Sequence, residues 1–105
     1  MTKLGGIIMI TKKIGIIGCG NMAKAIIAGL IKTNTFLPEE IIASDNSEKA
    51  LSDAKNMYGI NTTVNNSELV LESEMILLAV KPQVIASVIN EICDTVSENK
   101  IIISI

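Results

Sequence analysis

The chain has 105 residues, of which 49% are hydrophobic and 19% charged, a composition typical of one globular domain rather than of a disordered chain. The formal net charge is −2, all nine basic residues are lysines, and no basic patch stands out, so a nucleic-acid-binding surface is not expected. The lack of histidine and the wide separation of the two cysteines exclude His-ligated zinc, a Ser-His-Asp triad and a CxxC redox pair.

The cysteines and the lengths of the apolar runs indicate the cellular compartment of the protein. Two isolated thiols, Cys19 and Cys93, fit a reducing cytoplasm; they would also fit one disulfide, but a core this aliphatic needs no such staple. The apolar stretches fall far short of the roughly 20 residues that span a bilayer, and no signal-peptide cleavage site follows the first residues. We therefore expect a cytoplasmic protein that does not contact a membrane, with residues 1–12 as an N-terminal extension and the start of the first strand.

Strand-like and helix-like patterns alternate through the first half of the chain. A β-branched run predicts a buried strand over 13–18, and apolar residues at helical spacing predict a helix over about 21–32. A second strand is predicted over 41–44. The helix that follows is expected to stop at Gly59, which acts as its C-terminal cap.

The same alternation continues to the last residue. A short strand is predicted over 60–64, and a brief helix capped by Asn65 or Asn66, with Glu68 completing a capping box, follows it. A buried strand over 74–80, a helix beginning at Pro82 and a last strand over 100–105 complete the pattern.

This order of elements predicts the fold class. Strands and helices that alternate with short connections form a parallel sheet, because each right-handed crossover must cover the sheet. We expect an α/β fold with one domain over 13–105, a Rossmann-like doubly wound sheet of about five strands in the order 3-2-1-4-5. Helices should cover both faces of this sheet.

A glycine-rich loop joins the first predicted strand to the first predicted helix. Residues 18–23 read G-x-G-x-x-A, in which Gly18 makes the tight turn, Gly20 lets a pyrophosphate approach, and Ala23 lets the helix pack closely on the sheet. Backbone N–H groups and the helix dipole then favour an anion. The alternative is a glycine turn without a ligand, but the strand-turn-helix context favours dinucleotide binding.

The second predicted strand ends in polar residues that should lie near the adenosine ribose. Asp45 follows Gly20 at close to the expected offset for binding a ribose 2′-hydroxyl, which favours NAD, and the chain has no arginine for a 2′-phosphate. If Asp45 points away, small polar neighbours with Lys49 nearby offer an alternative phosphate site. Those neighbours are Ser44, Asn46 and Ser47. A third interpretation is that Asn46 or Ser47 only caps the second helix.

The segment LLAVKPQ, residues 77–83, ends the fourth predicted strand. Carboxyl ends of strands beside the topological switch point face the ligand crevice, so Lys81 is a candidate contact for cofactor or substrate anions. Pro82 would fix the backbone where the next helix begins. Alternatively, Lys81 is a solvent-exposed residue at a strand end.

Together, GCGNMAKAIIAGL and LLAVKPQ are more specific than a bare dinucleotide motif. From about Lys13 to Ile105 the chain resembles the N-terminal domain of pyrroline-5-carboxylate reductase. The resemblance implies hydride transfer from a nicotinamide cofactor to 1-pyrroline-5-carboxylate, giving L-proline. It implies NADP as the usual cofactor, while Asp45 and the lack of arginine leave NAD possible.

The resemblance also assigns cofactor-binding residues. The pyrophosphate turn would comprise Ile17, Gly18, Cys19, Gly20, Asn21 and Met22. Ser44 and Asp45 fall at the adenosine-ribose position, and Asn66 matches an asparagine on the adenosine side. The nicotinamide half would be lined by Ala79, Val80, Lys81 and Pro82.

The resemblance covers only part of such an enzyme. The family continues into a helical domain that forms the dimer and most of the substrate pocket, so we assign no catalytic residue and no metal ligand. The expected partners are the dinucleotide and, in an intact homo-oligomeric enzyme, 1-pyrroline-5-carboxylate. Two alternatives are a stand-alone dinucleotide-binding module, which should dimerise through its apolar IIISI edge or a nearby face, and a reductase of another small imine or hydroxy acid.

Overall fold

A computed structural model of the chain describes residues 12–96 and 100–105. Within these ranges a five-stranded, all-parallel sheet has the strand order β3-β2-β1-β4-β5. In chain order the elements are β1 (Lys12–Ile17), α1 (Asn21–Lys32), a short 3-10 helix (Pro38–Glu40), β2 (Ile41–Ser44), α2 (Glu48–Tyr58), β3 (Asn61–Thr63), α3 (Asn66–Glu72), β4 (Ser73–Leu78), α4 (Pro82–Ile92) and β5 (Ile101–Ser104). The predicted fold class and strand order are confirmed.

The ends of two helices follow from local chemistry. The helix α2 ends at Gly59, whose φ of 72° is the left-handed conformation expected of a glycine cap. At α3 the side chain of Asn65 accepts from the backbone N–H of Glu68 at 3.0 Å. The backbone N–H of Asn65 donates to Thr63 Oγ1 at 3.1 Å, so the hydroxyl of Thr63 fills the place that the predicted capping box gave to Glu68.

The end of β4 and the start of β1 can be compared with the boundaries predicted from the sequence. The strand β4 ends at Leu78 rather than at residue 80, because the chain turns away beyond Ala79 to begin α4 at Pro82. Of the predicted extension over 1–12, Lys12 begins β1, and residues 1–11 lie outside the described residues.

The strand β1 lies at the centre of the sheet, between β2 and β4. The chain proceeds from β1 towards β3 on one side and from β4 towards β5 on the other, so the order reverses beside β1. Such a reversal opens a crevice at the carboxyl ends of the strands. The residues that follow Ile17, Ser44 and Leu78 therefore meet at one edge of the sheet.

Two aliphatic clusters cover the two faces of the sheet, as expected for helices on both sides. One cluster joins β1 and β2 to Ala23 and Ile27 of α1 and to Leu51 and Ala54 of α2. The other cluster packs α3 and α4 against the opposite face; its helical members are Leu69, Val70, Val88 and Ile92. Gly15 lets α3 approach β1 closely, because a Cβ there would overlap the side chains of Leu69 and Ser73.

The strand β5 pairs with β4 and is the last strand of the sheet on that side. All of its isoleucines have exposed side chains, and Ile101 is the most exposed at 57%. Lys100 connects the start of this strand to the start of β4, because its Nζ donates to the backbone oxygen of Ser73 at 2.7 Å. None of the helices described here is long and apolar enough to cross a membrane.

Candidate functional site

Gly18 fixes the turn between β1 and α1. Its φ of +107° is a conformation that favours glycine, and a Cβ there would lie 2.5 Å from the backbone oxygen of Ala79. Its N–H donates to the oxygen of Ser44 at 2.8 Å, and the N–H of Ala79 donates to the oxygen of Ile17, also at 2.8 Å. The ends of three neighbouring strands are thus joined at this one turn.

Gly20 leaves open space in front of α1. It is the N-cap residue of the helix, and a Cβ added to it would have no neighbour within 4 Å among the described atoms. No side chain of the described residues caps the helix there, and the first turn of α1 carries no acidic residue. First-turn N–H groups have no partner inside a helix, so this end is a suitable cradle for an anion such as a pyrophosphate.

The carboxylate of Asp45 faces the glycine loop. Its Oδ2 accepts from the backbone N–H of Cys19 at 2.8 Å, and its Oδ1 accepts from the N–H of Ser47 at 2.9 Å. Both oxygens are therefore already bonded to the protein backbone. This arrangement holds the end of β2 against the loop, and a ribose hydroxyl would have to share these oxygens with the two amides.

The other polar residues after β2 have partners of their own. The side chain of Ser47 accepts from the N–H of Ala50 at 3.1 Å, so the helix-cap interpretation is correct for Ser47. Lys49 forms an ion pair with Asp53 at 3.2 Å along α2. Asn46 is exposed and lines the cavity described below.

Cys19 lies inside the loop rather than on its surface. The side chain is fully buried, and its Sγ donates to the backbone oxygen of Ala50 at 3.7 Å. Burial raises the pKa of this thiol above its usual 9.0, which the nearby Lys24 only partly offsets.

This burial predicts a difference in reactivity between the two cysteines, because the thiolate is the nucleophile and Cys93 is exposed. Iodoacetamide at pH 8 should label Cys93 in the folded protein and leave Cys19 intact, whereas both should react in urea. Mass spectrometry of peptides after timed labelling measures this. Equal labelling of the two thiols in the folded protein would contradict the buried position of Cys19.

A cavity of about 90 Å³ lies between the glycine loop, the end of β2 and the helices α3 and α4. Six of the predicted site residues line it: Ile17, Gly18, Ser44, Asp45, Asn66 and Val80. Asn46, Val84 and Val88 complete its wall. The other predicted site residues are outside this wall, on the neighbouring turns: Cys19, Gly20, Asn21, Met22, Ala79, Lys81 and Pro82.

Ser44 and Asn66 interact with each other in this wall. Ser44 is fully buried, and its hydroxyl donates to Asn66 Oδ1. The Nδ2 of Asn66 in turn donates to the carboxylate of Glu91 at 2.7 Å. The sequence analysis assigned no role to Glu91. Its helical spacing from Val84 and Val88 places all three residues on one face of α4, and this spacing is the sequence pattern that could have indicated a place near the site.

Lys81 and Pro82 begin α4 at the same edge of the sheet. Pro82 occupies the first turn of the helix, and Lys81 is the N-cap residue with an exposed side chain. The preceding residue, Val80, lies against Gly18, since a Cβ at Gly18 would be 3.1 Å from its Cγ1. The N-termini of α1 and α4 therefore both adjoin the glycine loop, and Lys81 stands at the start of α4.

Comparisons with known proteins identify a family and several relatives of this chain. Residues 13–105 match the sequence model of a family described as "NADP oxidoreductase coenzyme F420-dependent". The pyrroline-5-carboxylate reductase of Methanosarcina acetivorans is 40% identical over 97 residues, which are 92% of this chain and 36% of that protein.

Solved structures of such enzymes share the fold. The pyrroline-5-carboxylate reductase of Coxiella burnetii gives a TM-score of 0.82 at 40% identity, over 90% of this chain and 35% of that one. Plasmodium falciparum pyrroline carboxylate reductase with NADP bound gives a TM-score of 0.76 at 30% identity, over 92% of this chain and 34% of that one. The chain spans about a third of the length of these relatives.

Proposed function

The chain belongs to the family described as NADP oxidoreductase, coenzyme F420-dependent, and on that premise we propose that it is the NADP-binding part of a pyrroline-5-carboxylate reductase. The whole enzyme would reduce 1-pyrroline-5-carboxylate to L-proline. The relatives of that name, at 32–41% identity over about nine tenths of this chain, support the proposal.

The observation that carries the proposal is the uncapped start of α1. Within the described part of the chain, Gly20 has no neighbour within 4 Å in the direction of a side chain, while Gly18 is held tightly between β2 and β4. A turn that only joined a strand to a helix would need Gly18 for its backbone conformation but would have no need of a glycine at position 20. Space and free N–H groups at one point favour a phosphate ligand.

The residues of the loop would hold the dinucleotide by its pyrophosphate. The N–H groups after Gly20 would donate to the phosphate oxygens, and Lys81 would add a positive charge at the same edge. When bound, the cofactor supplies the hydride for reduction of a C=N bond. The task of this chain is then to fix the cofactor beside the ends of β1 and β4, where Ala79 and Val80 adjoin the loop.

We infer that NADP rather than NAD is the preferred cofactor. The family description and the NADP-bound relative support this preference. The geometry of Asp45 supports it too, because both carboxylate oxygens already accept from backbone amides and are less available to a ribose 2′-hydroxyl. Asn46, exposed in the cavity wall, is the polar side chain best placed to meet a 2′-phosphate.

Titration of the 105-residue chain with NADPH and NADH by calorimetry, at matched ionic strength, tests the proposal. We expect both to bind, NADPH about tenfold more tightly because a phosphate accepts charge-assisted hydrogen bonds. If NADH bound more tightly than NADPH, only the proposed preference for NADP would be overturned. Binding of neither by a folded sample would overturn the assignment of the loop.

Further properties of the whole protein belong to the same proposal. We infer that the complete enzyme is a cytoplasmic homo-oligomer, and that the substrate is held mainly by segments other than the described ones. The two free cysteines support a reducing compartment. Assay of proline formation by the complete enzyme, with 1-pyrroline-5-carboxylate and NADPH, tests the activity.

A further inference from the structure

Three side chains form a hydrogen-bonded relay from the sheet to α4. The hydroxyl of Ser44, at the end of β2, donates to Asn66 Oδ1 on α3. The Nδ2 of Asn66 donates to Glu91 Oε1 on α4 at 2.7 Å. The Ser44–Asn66–Glu91 relay thus joins three elements that are far apart in sequence.

The chemistry of the three groups fixes the direction of each bond. A carboxylate can only accept, so the amide nitrogen of Asn66 must face Glu91 and the amide oxygen must face Ser44. The hydroxyl of Ser44 is then the donor. Because Ser44 is fully buried at the end of a strand, it is a rigid anchor for the amide. Glu91 holds the other end, and without it the amide can turn about its last side-chain bond.

The relay borders the cavity beside the glycine loop. Ser44 and Asn66 line this cavity together with Gly18 and Asp45. On α4, Val84 and Val88 also line it, and Glu91 follows them on the same helix face. Glu91 therefore lies at the outer end of the wall that α4 contributes.

The relay uses one of the two N–H bonds of the Asn66 amide. The second N–H has no partner among residues 12–96 and 100–105 and is available to a ligand; its direction is set by the bond to Glu91 because the amide group is planar. An amide that is fixed before the ligand arrives binds more tightly, since no rotational freedom is lost on binding.

From this arrangement we propose that Glu91 is a positioning residue for the adenosine half of the dinucleotide. It holds the Asn66 amide so that the remaining N–H donates to the purine nucleoside in the cavity. Glu91 itself does not contact the ligand. This inference rests on the proposed function, since it specifies how the same site recognises its cofactor.

The test compares three single variants on α4, and a double variant with Asn66→Ala, all in the 105-residue chain. Glu91→Ala removes the acceptor, Glu91→Gln keeps an oxygen that can accept the same bond, and Asn90→Ala changes the exposed neighbouring residue of α4. The probes are NADPH and 2′,5′-ADP, which carries the adenosine half without the nicotinamide. Urea unfolding of each variant shows whether the fold is equally stable.

We expect Glu91→Ala to raise the Kd of 2′,5′-ADP about tenfold, as for the loss of one hydrogen bond between neutral groups, here the bond from the Asn66 amide to the nucleoside. Glu91→Gln should restore most of the affinity and Asn90→Ala should leave it unchanged. In a chain that already carries Asn66→Ala, the Glu91→Ala change should have no further effect, because the relay acts through Asn66.

Three results would overturn the inference while the proposed function stands: unchanged affinity in Glu91→Ala, no recovery in Glu91→Gln, or additive losses with Asn66→Ala. Failure of the unmodified chain to bind NADPH or 2′,5′-ADP would instead overturn the proposed function. A loss of affinity that parallels a fall in the urea midpoint would show a structural role, and would also overturn the positioning role.

Discussion

Replacing Gly18 with alanine should lower the free energy of unfolding by about 3 kcal/mol or more. At a φ of +107° an alanine is strained, and its Cβ would lie 2.5 Å from the oxygen of Ala79. Relief of this overlap requires the end of β1 to move away from β4. The move would weaken the bond from Ala79 N to Ile17 O, so strain and a lost hydrogen bond act together.

Urea unfolding of the purified variant measures this effect. Gly29→Ala is the matched control, because Gly29 lies in α1 and a Cβ there has no neighbour within 4 Å. Alanine in an exposed helix position should raise stability by about 0.5–1 kcal/mol. If the two variants unfold at the same urea concentration, the tight turn at Gly18 is not the constraint that the geometry indicates.

Replacing Gly20 with alanine should have the opposite result: it should weaken NADPH binding strongly and change the stability of the fold little. The Cβ would enter open space, so the free energy of unfolding should change by less than about 1 kcal/mol. The same Cβ would stand where the pyrophosphate approaches the backbone. Loss of one or two charge-assisted bonds then raises the Kd of NADPH by about 30-fold or more.

Calorimetric titration of this variant with NADPH, next to Gly29→Ala, measures the difference. The control Gly29→Ala should bind NADPH with the same Kd as the unmodified chain, because Gly29 lies two turns into α1 and away from the loop. Unchanged affinity in Gly20→Ala would mean that the dinucleotide does not cross the loop at this point. If both expected results are obtained, the two glycines of the motif are separable: Gly18 stabilises the fold and Gly20 admits the proposed ligand.

The fold could be predicted closely from the sequence because each element carries its own local signal. The span of α1 and that of β2 agree with the prediction residue for residue. Gly59 and Pro82 mark helix boundaries through their own backbone preferences, which are independent of the remainder of the chain. Strand order follows once the alternation of elements and the handedness of crossovers are known.

The details of the site could be predicted less well, because they depend on contacts between distant residues. The sequence places Asp45 near a ribose but does not show that its two oxygens bond the amides of Cys19 and Ser47. Nor does it show that the hydroxyl of Ser44 is bonded to Asn66. Glu91 appears in the sequence as one of many acidic residues, and only the packing of α4 beside α3 gives it a partner.

The central place of β1 in the sheet has a consequence for how the chain folds during translation. This strand is translated before β2 and β4, yet the turn at its end is held by the oxygen of Ser44 and by the amide of Ala79. Closing such long loops is entropically costly and slow, so the glycine loop takes its shape only after β4 has been translated. We therefore expect a nascent chain to bind a dinucleotide only after the sheet has folded.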